Sequence, residues 1–301
     1  MIEISNIKFN SPIIAASGTF GYGDEVESLV DLEKLGCVIT KSITLKEKIG
    51  NPHPRIIESS AGMLNAIGLS NVGVENFCKK KLSSLNNIKT NFLISIAGTK
   101  IEDYVKIIER IEQSSSNHIG YEVNISCPNV KKGGLVFGVS HEMTEQLTIA
   151  IRKCTKKLVI MKLSPNVTCI EDIAMAAENG GADAVSAINT LVGLGIDVKT
   201  RKMKLHNIYG GLSGPAIKPI ALANVHKIFK SIKIPIIGLG GIQSVDDIVE
   251  FFLAGAHLVQ IGTLNYRDPS TGVRLALELK KYCLENKLSS IHDIKGLVEY
   301  R

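Results

Sequence analysis

The sequence predicts an α/β fold: a (β/α)8 TIM barrel with an N-terminal strand hairpin and long βα-loop insertions. Three observations predict it. Eight short apolar runs recur along the chain, amphipathic segments of helical length separate several of them, and a glycine-bearing seam joins helix to strand in the same way twice. Eight βα units favour a closed barrel over an open doubly wound sheet.

The elements follow in chain order. Residues 1–10 read as a small hairpin that plugs the bottom of the barrel. The runs at 12–16, 36–41, 91–97, 120–125, 158–163, 184–188, 234–239 and 258–261 are mostly rich in Val and Ile and apolar on both faces, as strands of a buried parallel sheet must be. Residues 101–113, 141–153, 170–179, 217–229 and 245–253 read as amphipathic helices. Ser244, ahead of Val245-Asp246-Asp247, is a candidate N-cap, because its hydroxyl can accept from a free N–H of the first turn. Gly180-Gly181-Ala182-Asp183 and Gly255-Ala256-His257 each close a helix and enter a strand. The two longest intervals read without a strand, 43–90 and 189–233, exceed one crossover helix and so carry loop insertions, which in compact domains are usually functional.

Composition bounds the function. A chain of 301 residues, 45% of them hydrophobic, suits one domain spanning 1–301 around a large core. No uninterrupted apolar run reaches the ~20 residues that span a bilayer, and Met1-Ile2-Glu3-Ile4 lacks the basic-then-apolar plan of a signal peptide. The six cysteines (37, 78, 127, 154, 169 and 283) form no C-x-x-C pair, so no zinc or iron–sulfur site is expected on this chain, and a reducing, cytoplasmic setting is. The net charge of +6 is spread over short runs (79–81, 131–132, 156–157) that read as solvated helix ends or loops. Nucleic-acid binding needs a basic stripe with aromatic partners; aromatics are 5% of this chain and tryptophan is absent.

Barrel chemistry sits where the strands end. The polar and glycine residues at those ends are Ser17, Lys41, Ser95, Asn124, Cys127, Lys162, Asn189, Thr190, Gly240, Gly241, Gly262 and Thr263. The most informative stretch is Asn124-Ile125-Ser126-Cys127-Pro128-Asn129, which presents a thiol in a loop directly after an alternating strand. Pro128 ends the strand because it has no N–H to donate, and Asn124 and Asn129 flank the thiol with amides that can grip a small polar ligand. The plainer reading is a buried cysteine beside a turn. Lys41 and Lys162 are hard to place in a core; each could be a structural lysine paired to a carboxylate, but both fall at strand ends on one face.

Gly238-Leu239-Gly240-Gly241 follows the seventh strand and Gly262-Thr263 the eighth, the two loops that often hold a phosphate in barrels. Glycine lets the backbone approach closely, and free N–H groups meet the anion. Gly210-Gly211-Leu212-Ser213-Gly214 reads as a third glycine-rich loop. The cluster at 18–23 does not match G-x-G-x-x-G, so a Rossmann-bound nicotinamide is not expected; a phosphate-bearing cofactor at the barrel mouth, FMN foremost, is.

At this point the motifs carry a specific resemblance. Ala16-Ser17-Gly18-Thr19-Phe20-Gly21, Asn65-Ala66-Ile67-Gly68-Leu69, residues 124–129, Ile188-Asn189-Thr190-Leu191, residues 211–215 and residues 237–241 occur in family order over about 2–265. The chain resembles the dihydroorotate dehydrogenases, and among them the catalytic flavin subunit of the NAD-linked class 1B enzymes. The resemblance implies that Cys127 takes the C5 proton of dihydroorotate while FMN N5 accepts the C6 hydride, giving orotate for UMP synthesis. It implies substrate contacts from Lys41, Asn65, Ala66, Ile67, Gly68, Leu69, Asn124, Asn189 and Thr190. It implies FMN contacts from Ser17, Lys41, Ser42, Asn124, Lys162, Ile188, Gly214, Gly240, Gly241, Gly262 and Thr263, with Lys162 beside the flavin N1 and C2 carbonyl. A mobile loop, around 50–54 and 131–137, would close over the base. A partner subunit would carry FAD and a [2Fe–2S] cluster and reduce NAD+, around a homodimeric core of a heterotetramer, with no metal on this chain.

Two positions depart from the family pattern. Ser95 stands where Asn is usual, and Gly195 where a larger, often basic residue is usual. Three alternatives stay open: a class 1A-type enzyme that passes electrons to fumarate, another FMN barrel acting on a dihydropyrimidine, and a barrel that has lost catalysis and serves as a scaffold.

Overall fold

The structure is a computed structural model that describes residues 2–126 and 137–299. All eight runs expected as strands form one closed parallel barrel. Its strands, labelled here in chain order, are β1 (Ile13–Ala15), β2 (Cys37–Ile39), β3 (Phe92–Ile96), β4 (Gly120–Asn124), β5 (Leu158–Lys162), β6 (Ala184–Ala187), β7 (Ile236–Leu239) and β8 (Leu258–Ile261). Each strand pairs with its chain neighbours, and β8 closes on β1 with Gln260 opposite Ile14.

Period-2 alternation splits the apolar residues between two cores. Ile14, Ile39, Leu93, Ile160, Ile237 and Leu258 point inward, whereas Ile13, Val38, Ile94, Val159, Ile236 and Val259 pack under the helices. Because both faces are covered, both sets are apolar and the runs read as nearly continuous.

The N-terminal hairpin is the expected plug. Ile2–Ile4 and Ile7–Phe9 pair antiparallel across a two-residue turn in which Ser5 and Asn6 both have positive φ, the geometry that matches strand twist in tight hairpins. Ile4 and Phe9 join the inner core. His257 meets the Glu3 carbonyl at 3.0 Å, Ser5 donates to Asp183 at 2.9 Å and Asn91 to the Lys8 carbonyl at 2.8 Å. His257, Asp183 and Asn91 directly precede β8, β6 and β3, so the plug lies at the N-terminal end.

The expected helices are present as Ile101–Glu112, His141–Cys154, Ile170–Asn179, Lys218–Ser231 and Val245–Leu253. Ser244 caps the last of these in a full capping box with Asp247. Gly73–Lys80 and Thr271–Glu285 are further helices outside the predicted set.

The two insertions are not strandless. Ile56–Ser59 and Gly62–Asn65 from the first join Leu191–Gly193 and Gly210–Ser213 from the second in a four-stranded antiparallel sheet, with Gly211 opposite Asn65. The segment 210–214, expected as a glycine-rich loop, is therefore mostly strand. Its glycines permit close approach: a Cβ on Gly211 would lie 2.1 Å from Thr190 Oγ1, and one on Gly210 2.5 Å from Leu205 Cδ1.

Among the described residues no helix is long and apolar enough to cross a membrane, and no group of three or more His, Cys, Asp or Glu could hold a metal ion.

Candidate active site

The C-terminal face of the barrel gathers the strand-end residues. Ser17 follows β1, Lys41 and Ser42 follow β2, Asn124 ends β4, Lys162 ends β5, Ile188, Asn189 and Thr190 follow β6, Gly240 and Gly241 follow β7, and Gly262 and Thr263 follow β8. Register aligns Asn124 with Lys162 across β4 and β5, and Lys162 with Ser186 across β5 and β6.

The polar groups are tied to one another. Ser17 Oγ donates to the Thr40 carbonyl at 2.8 Å, and Ser42 Oγ lies 2.8 Å from Ser95 Oγ. Ser95 is thus fully buried against Ser42, the place this shorter residue takes in the third strand. Tyr104 Oη donates to the Asn124 carbonyl at 2.9 Å, and Asn189 Nδ2 reaches Asn124 Oδ1 at 3.4 Å. Asn189 Oδ1 in turn accepts from the Thr190 N–H at 2.8 Å. The Ala187–Ile188 peptide is cis.

Lys41 and Lys162 differ sharply. Lys162 Nζ lies 3.1 Å from Glu122 Oε1, so it does have a buried carboxylate partner. Lys41 is half-buried, and among the described residues no acceptor lies within hydrogen-bond distance of its Nζ. Burial, and next the Arg55 guanidinium, lower its pKa, against a smaller opposing pull from Glu25. A half-buried cation at a barrel mouth with no acceptor among the described residues is suited to an anionic ligand.

The accessory sheet brings 65–69 toward this face. Asn65 Nδ2 donates to the Gly211 carbonyl at 3.3 Å, and Gly211 sits against Thr190. Gly68 and Leu69 both have positive φ, and Asn71 Nδ2 holds the Leu69 carbonyl at 2.7 Å. The 50–54 segment is tied to this stretch: Asn51 donates through its backbone to the Ile67 carbonyl and through Nδ2 to the Ala66 carbonyl, both at 2.9 Å. Gly195 packs against the same sheet, where a Cβ would lie 2.6 Å from Ile57 Cδ1, so a larger residue there needs Ile57 to move.

Three short segments from different loops converge as a cradle. A Cβ on Gly241 would lie 2.9 Å from the Gly214 carbonyl oxygen, one on Gly214 would lie 3.6 Å from Thr263 Cγ2, and Thr263 Oγ1 donates to Ser213 Oγ at 2.8 Å. Gly214, Gly240 and Gly241 have φ of 98°, 136° and 78°, the region that favours glycine. The nearby Lys218 is committed to Asp247 and Glu250. An anion here would be met by backbone N–H groups, which fits a phosphate-bearing cofactor at the loops after β7 and β8.

Cys127, with Pro128, Asn129 and 130–136, lies outside the described residues. Ser126, next to it, donates its N–H to Asn124 Oδ1 at 3.1 Å. Sequence reasoning missed Glu122, Ser186 and Gln260, which line the barrel interior in one cluster with Lys162. The available signal was a single carboxylate in the run Tyr121-Glu122-Val123, at the inward parity shared with Asn124.

The model of the dihydroorotate dehydrogenase family matches residues 1–283. The chain is 47% identical over 298 residues to the dihydroorotate dehydrogenase B (NAD(+)) catalytic subunit of Geobacter metallireducens, covering 99% of this chain and 97% of the relative. It is 48% identical over 299 residues to the protein of that name from Phocaeicola vulgatus, covering 99% and 98%. With the family match spanning most of the chain and near-half identity end to end, this chain belongs to the dihydroorotate dehydrogenase family.

Proposed function

We propose that this chain oxidises (S)-dihydroorotate to orotate in pyrimidine synthesis as the catalytic subunit of an NAD-linked enzyme. The observation that carries this reading is the end-to-end match to relatives named dihydroorotate dehydrogenase B (NAD(+)), catalytic subunit. The gathering of the implied residues at one barrel mouth supports it.

The glycine cradle and Lys162 fit FMN, which when bound supplies the acceptor for the hydride leaving the substrate. Gly214, Gly240, Gly241, Gly262 and Thr263 would hold its phosphate end through backbone N–H groups. Ser17, Lys41, Ser42, Asn124 and Ile188 would line its remainder, and Lys162 would supply positive charge beside the ring. The other tasks fall to the chain's own side chains. Cys127 takes the C5 proton, since a thiolate accessible near neutral pH is a competent base. Lys41 answers the substrate carboxylate. Asn65, Asn124, Asn189 and Thr190 present donors and acceptors to the amide edges of the pyrimidine ring, and Ala66, Ile67, Gly68 and Leu69 shape its surroundings.

The relatives' designation as a subunit supports an electron-transfer partner, which in this reading carries FAD and [2Fe–2S] around a homodimer of this chain. Val192, Leu194, Ile196, Val198, Ile208 and Tyr209 are exposed on the second insertion, the kind of apolar surface that a protein interface covers. The chain acts as one domain, 1–301, in the cytoplasm. The acceptor is tested by orotate formation from the purified chain, with fumarate alone and with NAD+ plus the partner subunit. Turnover that requires the partner and NAD+ is expected; rapid turnover with fumarate and no partner would assign the chain to the fumarate-using class.

A further inference from the structure

The barrel interior holds one carboxylate with an unusual set of partners. Glu122 is 0% exposed. Its Oε1 faces Lys162 Nζ at 3.1 Å, and its Oε2 accepts from Ser186 Oγ at 3.0 Å and Gln260 Nε2 at 2.7 Å. All three partners present donor groups to it. These four residues come from β4, β5, β6 and β8 and cross-link the barrel beneath the mouth.

A buried ion pair is poor evidence for stability, because desolvating both ions offsets much of their attraction. Apolar side chains fill the inner core below, so the fold has a ready alternative at this layer. The pair's position gives it a use. Lys162 is 6% exposed and stands next to Asn124 in register, at the edge of the candidate FMN site. An ammonium has three N–H donors on a flexible stem. Fixing one of them on Glu122 restricts where the others point.

We propose that Glu122 is a positioning residue that acts through Lys162, orienting the ammonium toward the flavin and setting the net charge the flavin meets. This rests on the FMN reading above. The test is a double-mutant cycle of wild type, Glu122→Gln, Lys162→Met and the double variant, each purified and titrated with FMN, with the midpoint potential of the bound flavin measured in parallel. Glu122→Gln is expected to weaken FMN binding by roughly tenfold and to shift the potential, within the coupling range of residues in one hydrogen-bonded network. In the Lys162→Met background the same change is expected to do neither. Equal losses in both backgrounds would make Glu122 a structural residue and overturn the proposal. Should Glu122→Gln fail to fold, Glu122→Asp keeps the charge and withdraws it by one methylene; wild-type affinity and potential in that variant would likewise overturn it. A wild-type chain that takes up no FMN would instead overturn the functional reading, and this inference with it.

Discussion

Lys41→Met separates a binding lysine from a structural one. The substitution keeps the apolar stem and removes the charge. Among the described residues Lys41 Nζ has no hydrogen-bond acceptor, so no ion pair is lost and stability at neutral pH should change by no more than about 0.5 kcal/mol, or rise. The sign follows from the pKa. Burial and Arg55 lower it below the ordinary lysine value of 10.5, so keeping this lysine protonated costs the folded protein free energy. Between the lowered value and 10.5 the unfolded chain binds more protons, and wild-type stability rises with pH across that window. Any gain from Lys41→Met should therefore be largest near neutrality and vanish above pH 10.5. Binding should show the opposite effect. A hydrogen bond to a charged group contributes about 1.5–3 kcal/mol, or roughly 10–150-fold in the dissociation constant for dihydroorotate. Urea denaturation at several pH values and anaerobic substrate titration followed by flavin absorbance measure the two. A variant with unchanged substrate affinity, or one destabilised by more than about 1 kcal/mol, would make Lys41 a structural lysine and not a binding one.

Two further predictions test separate parts of the molecule. Phe9→Ala empties the plug, where Phe9 is 4% exposed, and should cost about 3–5 kcal/mol in denaturation while leaving flavin content and substrate affinity at wild-type values, because the plug lies at the face opposite the site. Cys127→Ala should retain FMN but slow flavin reduction by dihydroorotate by orders of magnitude at neutral pH in stopped flow; unchanged kinetics would remove Cys127 from the role of base.

The barrel was legible because both faces of its strands are buried, so every strand appears as an apolar run whichever way its residues point. Ser244 and the 1–10 hairpin were legible for local reasons: a cap and a turn act within a few residues. The accessory sheet was not. Its strands are four residues or shorter and largely at least partly exposed, three of the four carry glycine, and the pairing that joins the two insertions, Gly62–Asn65 with Gly210–Ser213, spans more than a hundred residues of chain, so alternation does not mark them. Lys41 and Lys162 stood out equally in the sequence, yet only one has a buried carboxylate. That carboxylate sits on the neighbouring strand, and only the barrel register brings it within reach. The substrate itself came from the resemblance; strand ends and glycine loops reach no further than a phosphate-bearing cofactor.

The most direct test is anaerobic mixing of the purified, FMN-loaded chain with dihydroorotate while the flavin absorbance is followed. Bleaching of the flavin is expected, with one orotate formed per flavin reduced. A yellow protein whose spectrum does not change on saturation with dihydroorotate would contradict it.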